Sequence, residues 1–170
     1  MFGTRSQLLP RAVLLTGLAA WMTVAVLNNI TDTGTNLIHL DNMLSMRLLI
    51  EDPIFGNGLE WRAWNGVPAQ AVLWIVICWQ VLTAAALWWA AVNMIGAFMK
   101  GGRDEACLRA VNLALSMFLG LWLVFLCGGL WFGYWMKQGA IQGVHLTLVI
   151  VSLMSLTYLN QPLQGSDTDL

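Results

Sequence analysis

The sequence predicts an all-α fold, a four-transmembrane-helix bundle with a long structured extracytoplasmic loop between helices 1 and 2. Two observations predict it. Hydrophobic residues make up 58% of the 170 residues and charged residues 10%, whereas soluble domains average about 45–50% and about 25%. Four stretches that are almost free of charge are each long enough to cross a hydrocarbon core, which takes about 20 helical residues. In lipid the backbone must satisfy its own hydrogen bonds, so we expect helices.

The same composition excludes several other classes of protein. A disordered chain would carry fewer apolar residues, and a nucleic-acid-binding domain would be basic, whereas the net charge here is -1. The three cysteines show no ligand or disulfide spacing and are expected to pack as small apolar residues. We therefore expect the lipid bilayer as a partner and no nucleic acid.

The four predicted spans form a single integral membrane domain and cover residues of about 12–30, 69–99, 108–135 and 141–159. The first span follows basic residues as a signal peptide would, but polar residues follow it without a small-x-small cleavage site, which favours a retained helix. The third and fourth spans form a tight antiparallel hairpin. The polar segment 164–170 is expected to be disordered.

Basic residues near the spans predict the orientation. With the N-terminus inside, five basic residues lie on the cytoplasmic side and three on the other, namely Arg5, Arg11, Lys100, Arg103 and Arg109 against Arg47, Arg62 and Lys137. The sequence therefore predicts a multi-pass protein with both termini in the cytoplasm.

The loop between the first two spans is expected to be structured and extracytoplasmic. Leucines recur at three- and four-residue spacing in it, which predicts an amphipathic helix that caps the bundle or lies on the membrane. Trp61 and Trp64 follow and are typical of an interfacial anchor.

Polar residues inside the spans are few, and none of them is acidic. A pump or ion-coupled transporter usually needs intramembrane carboxylates, so these classes are disfavoured. No nucleophile-and-base set is visible, so we expect no enzyme. Gln80 and Asn112 are expected to join helices by hydrogen bonds. The alternative is a pocket in which they, with Trp79 and Trp122, bind a flat hydrophobic molecule such as a quinone, a pigment or a lipid.

Two histidine-centred sites are possible, and both have a simpler explanation. His145 is a possible ligand of a haem or a pigment, but a hydrogen-bonded imidazole is favoured. His39, Met43 and Met46 have a spacing and chemistry that suit Cu(I). Leucines share the same helical stripe, so packing is the favoured role of the methionines. No cofactor or metal is expected.

Several short motifs carry a family resemblance. Asn28-Asn29-Ile30-Thr31-Asp32 follows the first span, and Asn42-Met43-Leu44-Ser45-Met46 lies in the loop. Trp61-Arg62-Ala63 precedes the second span, and Gly128-Gly129-Leu130-Trp131-Phe132 with Trp135 ends the third. The chain resembles domain-of-unknown-function family 2165, a bacterial family of small integral membrane proteins. The resemblance covers most of the chain to about residue 143. It implies four spans in a bacterial inner membrane and no known activity.

The departures from the family pattern bear on function. The pattern has ionisable residues where this chain has Asn42, Gln80 and Leu130, and it has an aspartate in place of Arg47. The resemblance therefore implies a structural role. The matched residues Asn29, Asp32, Trp61 and Arg62 are expected to hold the loop, with an ion pair between Asp32 and Arg62.

Together these observations favour a non-catalytic accessory subunit that packs against other membrane protein subunits of a larger complex, respiratory or photosynthetic. Small residues, including Gly129 with Gly133 and Gly139 with Gly143, suit such helix contacts. The alternative is a module that binds or passes a hydrophobic small molecule. Copper handling is the less favoured third possibility.

Overall fold

The computed structural model describes residues 2–56 and 58–163, and within these it is all-helical with no strand. The predicted disorder of 164–170 lies outside the described residues. Six α-helices follow in chain order: α1 (Phe2–Thr31), α2 (Thr33–Leu44), α3 (Arg47–Ile50), α4 (Ala69–Lys100), α5 (Glu105–Trp131) and α6 (Gly139–Asn160). Single 3₁₀ turns occupy Glu60–Arg62 and Tyr134–Met136.

The four long helices α1, α4, α5 and α6 are each long and apolar enough to cross a membrane, which confirms the predicted number of spans. Two boundaries differ most from the prediction. Helix α1 begins about ten residues before the predicted span, which places Arg11 inside the helix. Helix α5 ends at Trp131 instead of about residue 135, because the chain turns through Gly133 at a φ of +62° into the second 3₁₀ turn.

The long helices pack in the order α1–α4–α5–α6, each antiparallel to the next. One end of the bundle, here called the arginine end, joins the start of α1, the α4–α5 link and the end of α6. The other, here called the loop end, joins the end of α1, the segment 32–68 and the α5–α6 turn. Fully buried side chains such as Leu15, Leu87, Leu115 and Phe118 fill the centre.

Small residues bring the helices close together. Ala84, Ala90 and Ala91 of α4 are buried in the core, where their small side chains allow the neighbouring helices to approach. The outer faces carry large apolar side chains, among them Trp74, Trp88 and Trp89, as a lipid-facing surface requires.

The segment between α1 and α4 is partly helical and is packed against the bundle. The predicted leucine-rich helix is real but interrupted, because α2 ends at Leu44 and Met46 adopts a left-handed backbone with a φ of +53°. Leu44, Met46, Leu49 and Phe132 form a small second core, and the Trp64 backbone N–H donates to the Leu44 carbonyl at 2.8 Å. This packing holds α2 over the loop end.

Candidate functional site

A cavity of about 550 Å³ opens at the loop end, beneath α2 and between the long helices. Every long helix contributes to its wall, and most of the lining side chains are polar or aromatic: Ala25, Asn28, Asn29, Asp32, Asn36, Gln80, Trp122, Phe125 and His145. Its volume lies within the range of about 300–1,000 Å³ that is typical of small-molecule sites. The cavity is therefore the candidate functional site.

One wall is built from an amide pair that joins α1 to α4. Asn29 Nδ2 donates a hydrogen bond to Gln80 Oε1 at 2.6 Å, and Gln80 is only 3% exposed. The predicted helix-joining role of Gln80 is thus present in the structure. No residue in the described part of the chain accepts from the Gln80 amide N–H groups, which leaves them as donors for an occupant.

The opposite wall is aromatic and is centred on His145. Its ring stacks on Trp122 with centroids 5.8 Å apart and an interplanar angle of 22°, and Phe125 meets it edge-on at 4.8 Å. The Trp122 indole N–H is buried, and within the described residues it has no hydrogen-bond partner. This wall therefore presents a flat apolar surface to the cavity, with the unpaired indole N–H buried behind it.

Tyr134 fixes the orientation of the imidazole from outside the cavity. Its Oη lies 3.2 Å from His145 Nδ1. Burial raises the pKa of Tyr134 to about 12, so the phenol keeps its proton at physiological pH. A phenol that donates to Nδ1 leaves the ring proton on Nε2, which has no other partner among the described residues.

Gly129 makes the approach of Tyr134 possible. A Cβ at this position would lie 2.6 Å from Tyr134 Cε1 and would also collide with the Gln142 side-chain amide. Only a glycine lets the aromatic ring pack so closely against α5. The glycine-rich end of α5 thus positions the imidazole through Tyr134.

The predicted ion pair between Asp32 and Arg62 is wrong. Asp32 lies at the mouth of the cavity and caps α2, accepting from the Thr35 backbone N–H at 3.4 Å. The Arg62 guanidinium instead stacks against the rings of Trp61 and Trp131, at 5.2 and 5.5 Å from their centroids. Arg62 Nη1 donates to the Trp131 carbonyl at 3.4 Å. Arg62 therefore ties the loop to α5 by cation–π contacts.

The four residues of the predicted pocket are not all brought together. Gln80 and Trp122 line the cavity, but Trp79 Nε1 donates to the Met117 carbonyl at 3.3 Å and so joins α4 to α5. Asn112 pairs with Asn160 through hydrogen bonds of 3.1 and 2.7 Å nearer the arginine end. Trp79 and Asn112 therefore join helices away from the site.

The histidine–methionine pattern does not lie on one helical face. His39 Nδ1 lies 3.1 Å from Gln138 Oε1, whereas Met46 lies beyond the end of α2 and is buried in the second core, with Met43 packed against it. In the described part of the chain no group of three or more histidine, cysteine or acidic side chains has a metal-binding arrangement. Of the three residues considered as copper ligands, His39 is thus in a hydrogen bond with Gln138, and Met43 and Met46 take part in apolar packing.

Sequence reasoning did not identify Asn36, Phe125 and Tyr134 as site residues. Phe125 and Tyr134 are ordinary aromatic residues in an aromatic-rich chain, and their roles depend on the rotation of α5 against α6. The sequence feature that indicated the position of the cavity was the motif Asn28–Asp32, a run of mostly polar residues at the end of the first span.

Comparison with known proteins supports the membrane assignment. No curated protein and no solved structure matches the chain. A family model described as predicted small integral membrane protein (DUF2165) matches residues 7–162, nearly the whole chain. This match includes three of the candidate spans in full, nearly all of the first span and the residues that line the cavity, and the chain therefore belongs to the DUF2165 family of predicted small integral membrane proteins.

Proposed function

We propose that this protein is a non-catalytic membrane protein that binds a small molecule in the loop-end cavity. The occupant carries a hydrogen-bond-accepting oxygen next to a flat apolar ring, as a quinone does. The observation that carries the proposal is the buried, unpartnered N–H of Trp122 in a wall that also holds a stacked imidazole.

The energetics favour an occupant that accepts hydrogen bonds. A buried donor without a partner costs about 1–3 kcal/mol, and an acceptor on the ligand removes that cost. The Gln80 amide supplies further donors from the opposite wall. The apolar faces of Trp122 and Phe125 suit a ring that lies between these donors.

The distribution of charge supports an orientation. We infer that the loop end faces the extracytoplasmic side of a bacterial inner membrane and that both termini are cytoplasmic. Five of the basic residues belong to the arginine end and three to the loop end. This bias follows the positive-inside rule.

Binding can be measured on the purified protein with decyl-ubiquinone as the probe, by quenching of tryptophan fluorescence. We expect saturable binding that weakens about three- to tenfold in Trp122→Phe and in Gln80→Leu, since each loses one hydrogen bond. Trp89→Phe is the matched control, because Trp89 is 52% exposed and lies outside the cavity lining. Equal weakening in all three variants would contradict the proposal.

An accessory role in a larger membrane complex is the second candidate, and one observation favours it. Gly139 and Gly143 on α6 have nothing within 4 Å of the position that a Cβ would take, so this GxxxG face is open to another helix. Gly129, by contrast, packs against Tyr134 and Gln142 of the same chain. Gly143→Leu should release a copurifying subunit in mild detergent, whereas Leu153→Ala, elsewhere on the exposed surface of α6, should not. A protein that purifies alone, with both variants unchanged, would oppose this role.

A further inference from the structure

Arg11 is a buried cation inside a helix that is apolar enough to span a membrane. It is 3% exposed, and its guanidinium carbon lies 5.4 Å from the centroid of the Tyr158 ring on α6. Its Nε and Nη1 are buried, and no residue in the described ranges accepts a hydrogen bond from them. Charged groups in such positions are functional candidates because their burial is costly.

Arg103 lies beside Arg11 at the end of α6. It projects from the α4–α5 link and donates to the Leu159 carbonyl and, at 3.2 Å, to the Gln161 carbonyl. Burial and the positive charge of Arg11 both lower the pKa of Arg103. The two guanidinium groups thus contact neighbouring residues of the same helix end.

Neither arginine has an acidic partner among the residues that the structure describes. The ion pairs there are Arg109 with Glu105 and Lys137 with Asp52. Asp104, next to Arg103 in the chain, instead caps α5 by accepting from the Cys107 backbone N–H at 2.8 Å. The carbonyls at the end of α6 and the Tyr158 ring offset only part of the charge, because a helix dipole and a ring face each supply about 1 kcal/mol.

We propose that Arg11 and Arg103 bind the phosphate of an anionic phospholipid at the arginine end of the bundle. The unpartnered N–H groups of Arg11 and the half-buried guanidinium of Arg103 supply the donors, and arginine forks match phosphate oxygens well. Basic pockets between transmembrane helices near the membrane surface are a recurrent site for anionic lipid headgroups. The site is at the opposite end of the bundle from the cavity and does not depend on its occupant.

The test uses the full chain in a mild detergent, with its thermal midpoint measured as phosphatidylglycerol or phosphatidylcholine is added. We expect phosphatidylglycerol to raise the midpoint and phosphatidylcholine to raise it much less. Inorganic phosphate is the third probe, and an equal shift with it would assign the site to a free anion and overturn the lipid proposal. Equal shifts from the two lipids would also overturn it.

Three variants identify the residues. Arg11→Met and Arg103→Gln are each expected to weaken the apparent affinity for phosphatidylglycerol about tenfold, as loss of a charged hydrogen-bond partner does. Arg109→Met is the matched control, since Arg109 is at the same end but is exposed and paired with Glu105. Wild-type affinity in Arg103→Gln, or a loss as large in Arg109→Met, would refute the proposal even if Arg11→Met does not fold.

Discussion

Tyr134 Oη lies 3.2 Å from His145 Nδ1, which links the α5–α6 turn to the imidazole in the cavity wall. The imidazole is then held between this hydrogen bond and the stacked Trp122 ring. Two conditions make the relationship possible: the left-handed turn at Gly133 and the absence of a side chain at Gly129. The glycine-rich sequence before the last helix therefore serves the site as well as the fold.

Gly129→Ala should displace Tyr134 and Gln142 and destabilise the protein. The added Cβ would collide with both side chains, and overpacking of this kind costs about 1–3 kcal/mol. Gly128→Ala is the control, because nothing lies within 4 Å of its Cβ position. Thermal unfolding in detergent measures both. Equal midpoints for the two variants would show that Tyr134 does not pack as described.

Trp122→Phe should have opposite effects on stability and on binding. Without an occupant the variant loses a buried donor that had no partner, so its stability should rise by about 1 kcal/mol, offset in part by the smaller ring. Binding of decyl-ubiquinone should weaken. Thermal midpoints with and without the probe measure the two effects. A variant that loses stability without the probe but binds it as well as wild type does would show that the indole N–H has no role in recognition.

The hydrogen bond between Asn29 and Gln80 should appear as an energetic coupling between α1 and α4. In a double-mutant cycle of Asn29→Ala and Gln80→Leu we expect a coupling energy of about 1 kcal/mol, because the two amides are in direct contact. Asn93, which bonds within its own helix, supplies the control pair with Asn29 and should show no coupling. Additive effects of Asn29→Ala and Gln80→Leu would mean that the bond does not contribute.

Acid should weaken the loop end through Asp52. Its hydrogen bond to Lys137 and those from the backbone N–H groups of Phe55 and Ile54 lower the pKa of Asp52 from 3.8 to about 2. Because the pKa of Asp52 is lower in the folded state than in the unfolded state, the ionised carboxylate stabilises the folded state at pH values above about 4. This stabilisation is lost as the pH falls from about 4 towards 2. Thermal midpoints across this range should fall less steeply for Asp52→Asn than for wild type. Identical pH profiles for the two proteins would show that the contact between Asp52 and Lys137 does not stabilise the fold.

Arg62→Glu should loosen the loop, and Asp32→Arg should not restore it. Arg62 lies against two tryptophan rings and forms no ion pair with Asp32, so charge reversal at Asp32 has no interaction to restore. Hydrogen exchange of the backbone amides around Trp61 and Trp64 is the measurement. Recovery of protection in the double variant would support an ion pair between Asp32 and Arg62 and would contradict the contacts described here.

The spans were predictable because a membrane imposes one strong rule on length and polarity. Four stretches almost free of charge correspond to the four long helices, and Pro68 and Gly101 lie at the two ends of α4. Arg11 shows the limit of the rule. The basic residue was placed outside the span, but α1 begins earlier and buries it against α6.

The site was only partly predictable because it depends on how each helix is rotated about its axis. Gln80 and Trp79 are adjacent in sequence, yet one lines the cavity and the other bonds to α5. Spacing along a single helix does not fix which face meets which neighbour. The prediction of an Asp32–Arg62 ion pair was wrong for a related reason. It rested on two opposite charges in one loop, and a pattern of charges does not show that Arg62 stacks on tryptophan rings instead.

Native mass spectrometry of the full chain released from its own membranes tests directly whether the cavity is occupied. We expect a small molecule with an oxygen acceptor and a flat ring, bound at one copy per chain. It should be retained in Trp89→Phe and depleted in Gln80→Leu and Trp122→Phe. A wild-type protein that carries no small molecule, or cavity variants that carry as much of it as the wild type does, would show that the cavity is not a binding site.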